Sequence, residues 1–264
     1  MTPEDRDPPS PVEHDEVGSR SSASAGKGRR KHLPIWQETI LLLGIALVLA
    51  IVIKSLFLQA FYIPSESMEP GLIKNDRILV EKVSYWFGGE PQRGDVVVFQ
   101  DPGDWLSPAE SAGPTNPVTS LMARIGLYPT GGHLVKRVIG VEGDTITCCD
   151  SLGRISVNGK PLDEKSYAKL DGAECYGPMT STCSWSAGPV PKDHVFVMGD
   201  NRRNSADSTV HMCPEADEAT DCVPGDEFVD EDLIVGRVFV LLWPSSRFSI
   251  LHRPATFANV PDAG

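Results

Sequence analysis

At 264 residues, 41% hydrophobic and 23% charged, the chain is large enough to bury a core without disulfides or metals to hold it together. Its formal net charge of −12 speaks against nucleic acid as a partner, because from Phe61 onward 17 Lys and Arg stand against 29 Asp and Glu.

The first stretch, Met1 to about Lys31, is Pro, Ser, Gly and charge, with too little to bury to offset the entropy of ordering it. Residues 1–36 are therefore expected to form a disordered tail. Ile40 to Ile53 is then an unbroken apolar run of fourteen, interrupted only by Lys54 and Ser55 before Leu56, Phe57 and Leu58. Counted as a helix from Glu38 to Leu58 it is about 31 Å long, enough to cross a hydrocarbon core, with Lys54 close enough to one end to snorkel. The span is placed at 37–60. A buried core helix is the alternative, and the uniform apolarity around the wheel argues against it.

Lys27, Arg29, Arg30 and Lys31 precede the span and Lys54 alone follows it. The charge bias predicts a single-pass protein of the cell membrane, with the N-terminus cytoplasmic and residues 61–264 outside. A cleaved leader ending at Leu58-Gln59-Ala60 is the rival, but the run exceeds an ordinary leader core, so an uncleaved anchor is expected.

All six cysteines, Cys148, Cys149, Cys175, Cys183, Cys213 and Cys222, fall on the predicted outer side. An even count there suggests disulfides, with Cys175 to Cys183 and Cys213 to Cys222 closing short polar loops and the adjacent pair Cys148-Cys149 left unassigned. Zinc is disfavoured because no paired CxxC spacing occurs. Residues 213–232 carry nine acids and no base, which reads as a solvated loop; a calcium site would need a ligand spacing that is not there.

The outer part is built of short β-type runs, RILVEKV, GDVVVFQ, HLVKRVIGV, DTITCC, RISVNG, DHVFVMG and LIVGRVFVLLW, separated by turn residues. The fold class is mainly β, an antiparallel domain behind one transmembrane α-helix, with inserted loops near 101–132, 160–192 and 211–232. Tyr85-Trp86-Phe87 follows the first run as a loop whose rings are expected to dip among lipid headgroups.

Two serines stand in FYIPSESMEPGL just beyond the span. A serine nucleophile needs a proton acceptor. None of the histidines carries a serine-elbow signature, and His14 and His32 fall on the wrong side. Lysine can serve only if its pKa falls from ~10.4 to about 7–8, which burial in apolar surroundings with no acid nearby would achieve. Lys136, interrupting HLVKRVIGV, fits, with Lys136 and Val138 on one face and Val135, Arg137 and Ile139 on the other. The competing role is an edge-strand lysine that blocks aggregation.

SESMEP, RGDVVVF (Arg93 to Phe99), VKRVIGVEGD (Val135 to Asp144) and GDNRRNSADS (Gly199 to Ser208) occur in the order and approximate wording of the boxes of bacterial type I signal peptidases. The chain resembles this family of membrane-anchored Ser-Lys dyad proteases from about Glu38 to Trp243. The resemblance implies Ser67 as nucleophile and Lys136 as general base. It further implies an oxyanion hole of the Ser65 hydroxyl and the Ser67 N–H, Ser205 orienting the lysine, and Asp207 as a structural carboxylate. Phe61, Ile63, Met68, Leu72 and Val135 would line shallow pockets for the small residues of an Ala-x-Ala site, their plain alternative being core. Two departures stand out: Arg203 where Asp is frequent, and Thr209 where many members place an Arg that pairs with Asp207, which leaves Arg202 or Arg203 as candidate partners.

The expected partners are preproteins bearing signal peptides and the lipid bilayer, with no nucleic acid, no metal and no cofactor, the enzyme acting as a monomer. Two other readings remain: a self-cleaving Ser-Lys protein, for which Leu58-Gln59-Ala60 is the sole weak site, and an anchored binding protein without catalysis.

Overall fold

A computed structural model of the chain describes residues 34–103, 105–111, 113, 116–124, 131–170, 183–213 and 223–263. The expected tail before residue 34, Cys175, Cys222 and much of the acidic loop lie outside the described residues.

One helix, Ile35–Phe57, is 23 residues and about 35 Å long. It is long and apolar enough to cross a membrane, and the side chains described along Ile40 to Val52 are exposed. It ends earlier than the span expected to run to residue 60. Leu58–Tyr62 is strand β1, because its backbone groups pair with β2 (Arg77–Glu81), from Leu58 opposite Glu81 to Tyr62 opposite Arg77. The serines therefore follow a strand that is hydrogen-bonded in place.

All seven β-type runs contain strands. Beyond β2 they give β3 (Val96–Gln100), β4 (His133–Gly140), β5 (Ile146–Cys148) and β6 (Ser156–Val157). After the short β7 (Lys160–Pro161) and β8 (Trp185–Ala187) come β9 (His194–Met198), β10 (Val229–Asp230), β11 (Ile234–Trp243) and β12 (Ser249–Ile250). The larger sheet runs β1-β2-β11-β3-β4-β9-β10 with β12 on β11, and the smaller runs β7-β6-β5-β8, every pairing antiparallel. The insertion near 160–192 thus contributes strands to the second sheet. The insertion near 101–132 carries two short helices, Pro108–Ser111 and Pro117–Arg124.

Alternation along the strands sorts the core. Ile63, Met68, Leu72, Ile78, Val80, Val96 and Val98 pack on one face of the larger sheet. Val97, Phe99, Leu134, Val138, Val195 and Val197 pack with Trp105 on the other. A third cluster, including Ile139, Ile146, Ile155 and Leu162, joins the smaller sheet to the larger.

The cysteines are used as disulfides: Cys148 bonds its neighbour Cys149, and Cys183 and Cys213 are each disulfide-bonded. The loop closures expected with Cys175 and Cys222 involve residues outside those described. Tyr85-Trp86-Phe87 is part of a 3-10 helix, Val83–Gly88, rather than a loop. Tyr85 turns inward and donates to Asp95 Oδ2 at 3.2 Å, whereas Trp86 is 37% exposed with its ring 5.5 Å from Phe57 at the end of the long helix.

Candidate active site

The turn after β1 is anchored at both ends before its serines are reached. Ile63 exchanges backbone hydrogen bonds with Asn75 and Asp76, and the Leu72 N–H donates to Met68 O at 3.0 Å. Ile63, Met68 and Leu72 are buried in the core, so their apolar side chains hold the turn down while Ser65 stays exposed and Ser67 is 9% exposed. The two hydroxyls share a hydrogen bond at 3.3 Å. Of the five expected pocket residues, these three form a floor, and Phe61 and Val135 pack half-buried against it. The His133 ring lies 5.4 Å from that of Phe61.

The far side of the turn is fastened to the loop after β9. The Asn201 N–H donates to Ser67 O at 2.9 Å and its side-chain amide to Glu66 O at 3.1 Å. Gly199 makes the approach possible. A Cβ there would stand 2.5 Å from Ser67 O and 2.2 Å from Ser205 Oγ, closer than any side chain is tolerated. One glycine therefore holds the backbone of Ser67 and the hydroxyl of Ser205 against the same point.

Lys136 enters from β4, which is flanked by β3 and β9 over this length, with Val97 directly opposite. That removes the edge-strand role considered above. The side chain is 4% exposed, and Nζ donates to Ser205 Oγ at 3.0 Å, its hydrogen bond among the described residues. Ser205 in turn donates to Asp207 Oδ2 at 2.6 Å. Because the Ser205 proton is directed at the carboxylate, its oxygen receives a hydrogen from the amine, and a neutral amine so held keeps its lone pair for another donor.

Burial pushes the Lys136 amine down to about 8, against the pull of the Asp207 and Asp200 carboxylates. The acid-free surroundings expected from sequence are thus not what the structure has: two carboxylates lie near, and burial outweighs both. Asp207 also accepts from the Gly199 N–H at 2.8 Å and, at Oδ1, from the Thr209 N–H at 3.1 Å and the Thr209 hydroxyl at 2.6 Å. The residue that replaces the family's arginine is itself the partner. Arg202 is instead committed to Glu164 and Gly199 O, burial of its guanidinium being outweighed by the Glu164 carboxylate.

A family model described as signal peptidase, peptidase S26, matches residues 36–243. The chain belongs to that family. As a member it is a serine endopeptidase. It is 38% identical over 255 residues to the signal peptidase I of Mycobacterium tuberculosis strain H37Rv, covering 90% of this chain and 83% of that one. To the signal peptidase I of Leptolyngbya laminosa it is 34% identical over 220 residues (83% and 86%), and to signal peptidase I S of Bacillus subtilis 31% over 195 residues (70% and 83%). A crystal structure of a signal peptidase I from Enterococcus faecalis V583 aligns at 21% identity over 56% of this chain and 96% of that one, with a TM-score of 0.33. The fold class rests on the antiparallel strands themselves. Sequence reasoning gave no role to Gly199, Asn201 or Asp200, although all three stand inside the last of the family's boxes, nor to Glu164, which no box marks.

Proposed function

We propose that this peptidase is anchored in the membrane by its long helix and removes N-terminal signal peptides from exported preproteins, using Ser67 and Lys136 through an acyl-enzyme. The observation that carries the reading is the dehydrated amine of Lys136, held by Ser205 and Asp207 beside the very glycine against which Ser67 packs.

In the reaction, the neutral amine takes the Ser67 proton as Oγ attacks the scissile carbonyl. The Ser67 N–H and the Ser65 hydroxyl, 3.3 Å from Ser67 Oγ, stabilise the oxyanion. Lys136 then passes its proton to the leaving amine, and the lone pair so regenerated activates the water that releases the acyl group. Below a pKa of about 8 the reactive amine falls tenfold per pH unit, so kcat/KM is expected to fall with the same slope on the acid side.

An extended substrate adding as a strand would leave its side chains facing Phe61 and Val135 over the shallow floor of Ile63, Met68 and Leu72, which fits small residues such as those of Ala-x-Ala. Trp86, exposed beside Phe57, is the ring of the 3-10 helix suited to the headgroup region, and the cluster Lys27 to Lys31 favours a cytoplasmic N-terminus. Residues 37–60 serve as the anchor and 61–264 as the catalytic domain in this reading, with β1 the joint between them.

The test is cleavage of a preprotein by the detergent-solubilised full chain. Ser67→Ala and Lys136→Ala are each expected to abolish processing while the circular dichroism spectrum is unchanged. Cleavage of itself alone, or binding without cleavage, would contradict the assignment, and a fully active Lys136→Ala enzyme would remove the dyad.

A further inference from the structure

Lys136 works as a base only while water is kept from its amine, and strand alternation accounts for part of that exclusion. Val97 lies directly opposite Lys136, and Leu134 and Val138 flank it on the same face of β4, with Phe99 opposite Leu134. Those four side chains belong to one buried apolar cluster, and Trp105 belongs to it too. Trp105 and the His211 stacked on it come from two loops that sequence reasoning left without a function.

Trp105 is buried with its ring perpendicular to that of Phe99, the centroids 6.0 Å apart at 88°. Its turn is clamped by Asp101, whose carboxylate accepts from the N–H groups of Gly103 and Trp105 at 3.1 Å and of Leu106 at 3.2 Å. The imidazole of His211 stacks flat on the indole, 4.3 Å away at 3°. His211 follows the Asp207 to Val210 turn and is tied to it through its N–H, which donates to Ser208 O at 3.2 Å. The stack therefore joins the 101–106 loop to the same turn that carries Ser205, Asp207 and Thr209.

Nε2 of His211 is buried without a hydrogen-bond partner among the described residues. A charged ring could not be left so. Burial lowers the pKa of the ring; the carboxylates of Asp207, Asp226 and Asp101 oppose it and the amine of Lys136 acts with it. The titratable groups that act on Lys136 through their charge are Asp207 and, from the other side of the sheet, Asp200, while the Lys136 amine in turn acts on the His211 ring. A neutral, stacked imidazole is an apolar wall rather than a counter-charge.

We propose that the Trp105–His211 stack is the wall that keeps the amine of Lys136 dry, so that these two residues position and tune the general base without touching the substrate. The proposal rests on the dyad reading above. It makes a distinction that a purely structural role does not: opening the wall hydrates the amine and moves the pH at which it becomes a base, leaving the enzyme competent once the pH is high enough.

The test is the pH profile of kcat/KM, from about pH 6 to 11, for the full chain in detergent acting on a peptide that spans an Ala-x-Ala junction. Trp105→Ala and His211→Ala are expected to move the acid limb up by roughly one unit, a loss of about tenfold at pH 7 that closes near the top of the range. His211→Phe keeps a neutral ring on the indole and is expected to leave the limb in place. Should Trp105→Ala not fold, Trp105→Leu keeps contact with Phe99, cannot stack, and takes its place with the same expected shift. A loss of equal factor at every pH, with the limb unmoved, would overturn the wall, as would a shifted limb in His211→Phe. A wild-type enzyme with no acid limb, or an active Lys136→Ala, would instead sink the dyad.

Discussion

Lys136 and Arg137 are neighbours in one strand, both buried, at 4% and 6% exposure, yet they meet opposite ends. Arg137 projects to one side of the sheet and is held by Asp200 through two hydrogen bonds at 2.7 and 2.8 Å, with its guanidinium over the ring of Tyr167 at 4.5 Å. Burial works against its charge, but the Asp200 carboxylate outweighs burial and the pKa rises. Lys136 projects to the other side and meets a hydroxyl first, with the Asp207 carboxylate one hydrogen bond further on. There burial wins and the pKa falls to about 8. The difference teaches that depth of burial alone does not decide whether a cation persists: a guanidinium touched by a carboxylate keeps its charge, whereas an amine, whose pKa moves readily on burial, is pushed down when its carboxylate stands one side chain away.

The comparison breaks most visibly at the proposed base. Lys136→Ala is expected to cost roughly 10²–10⁴ in turnover or more, and Lys136→Arg as much, because a guanidinium stays charged and cannot accept a proton. Steady-state cleavage of a preprotein reads both, and an active Lys136→Arg would show that charge, not the lone pair, is what the site uses. On the other face the effect is on stability. Arg137→Met leaves Asp200 buried without its partner and is expected to lower the unfolding free energy by about 3–5 kcal/mol in urea titration.

A third variant sharpens the contrast by its sign. The amine of Lys136 has an ordinary value of 10.5 and a folded value of about 8, so the folded state binds fewer protons between those limits. Its cost to stability is fully present below pH 8, is relieved as the pH rises through that interval, and is gone above 10.5. Lys136→Met, inactive, is accordingly expected to be more stable than the wild type at pH 7 by about 2 kcal/mol once the lost bond to Ser205 is counted, with the gap closing toward pH 10. Denaturant midpoints across that range check it, and a gap that does not change with pH would contradict it.

The smallest effect is at Glu231, where neighbouring carboxylates act with burial instead of against it. Burial first, then the carboxylates of Glu90, Asp193, Glu142 and Asp230, push its carboxyl up to about 7. A raised carboxyl costs stability above its folded value and nothing below its ordinary one, so Glu231→Gln is expected to stabilise the enzyme at pH 8 and not at pH 4. The group is part-exposed and screened, so the gain is under about 1 kcal/mol.

How much of this could be read beforehand depended on whether the signal was local. The seven β-type runs contain strands because short stretches rich in β-branched residues and bounded by turn residues favour the extended pleat; RILVE alternates in burial, whereas VVVFQ is buried on both faces from Val96 to Phe99. Strand β1 was hidden because Leu58–Tyr62, LQAFY, continues a mostly apolar stretch without a turn residue to separate it from the span, and its pairing with β2 marks the change. Strands of two residues outside those runs, such as β7 and β10, carry no period at all. For the proposed site, four boxes in order named Ser67, Lys136, Ser205 and Asp207, and hydrogen bonds join the last three. The partner of Asp207 was sought among arginines, because a charge invites a countercharge, whereas the turn supplied two donors from Thr209. Glu164 reaches Arg202 across 38 positions and Trp105 reaches His211 across loops without periodicity, so neither contact had a pattern to announce it. Pocket and core could not be separated at Ile63, Met68 and Leu72, since the same apolar side chains serve either.

The protonation state of one amine carries the account. Titrating Lys136 directly, by the ¹³Cε shift of labelled lysine in the Ser67→Ala enzyme in micelles, with Lys136→Met to assign the resonance, gives that state without relying on turnover. A midpoint near 8 is the predicted result; a midpoint near 10.5 would mean that the amine is solvated and charged at working pH, and that it is not the base for Ser67.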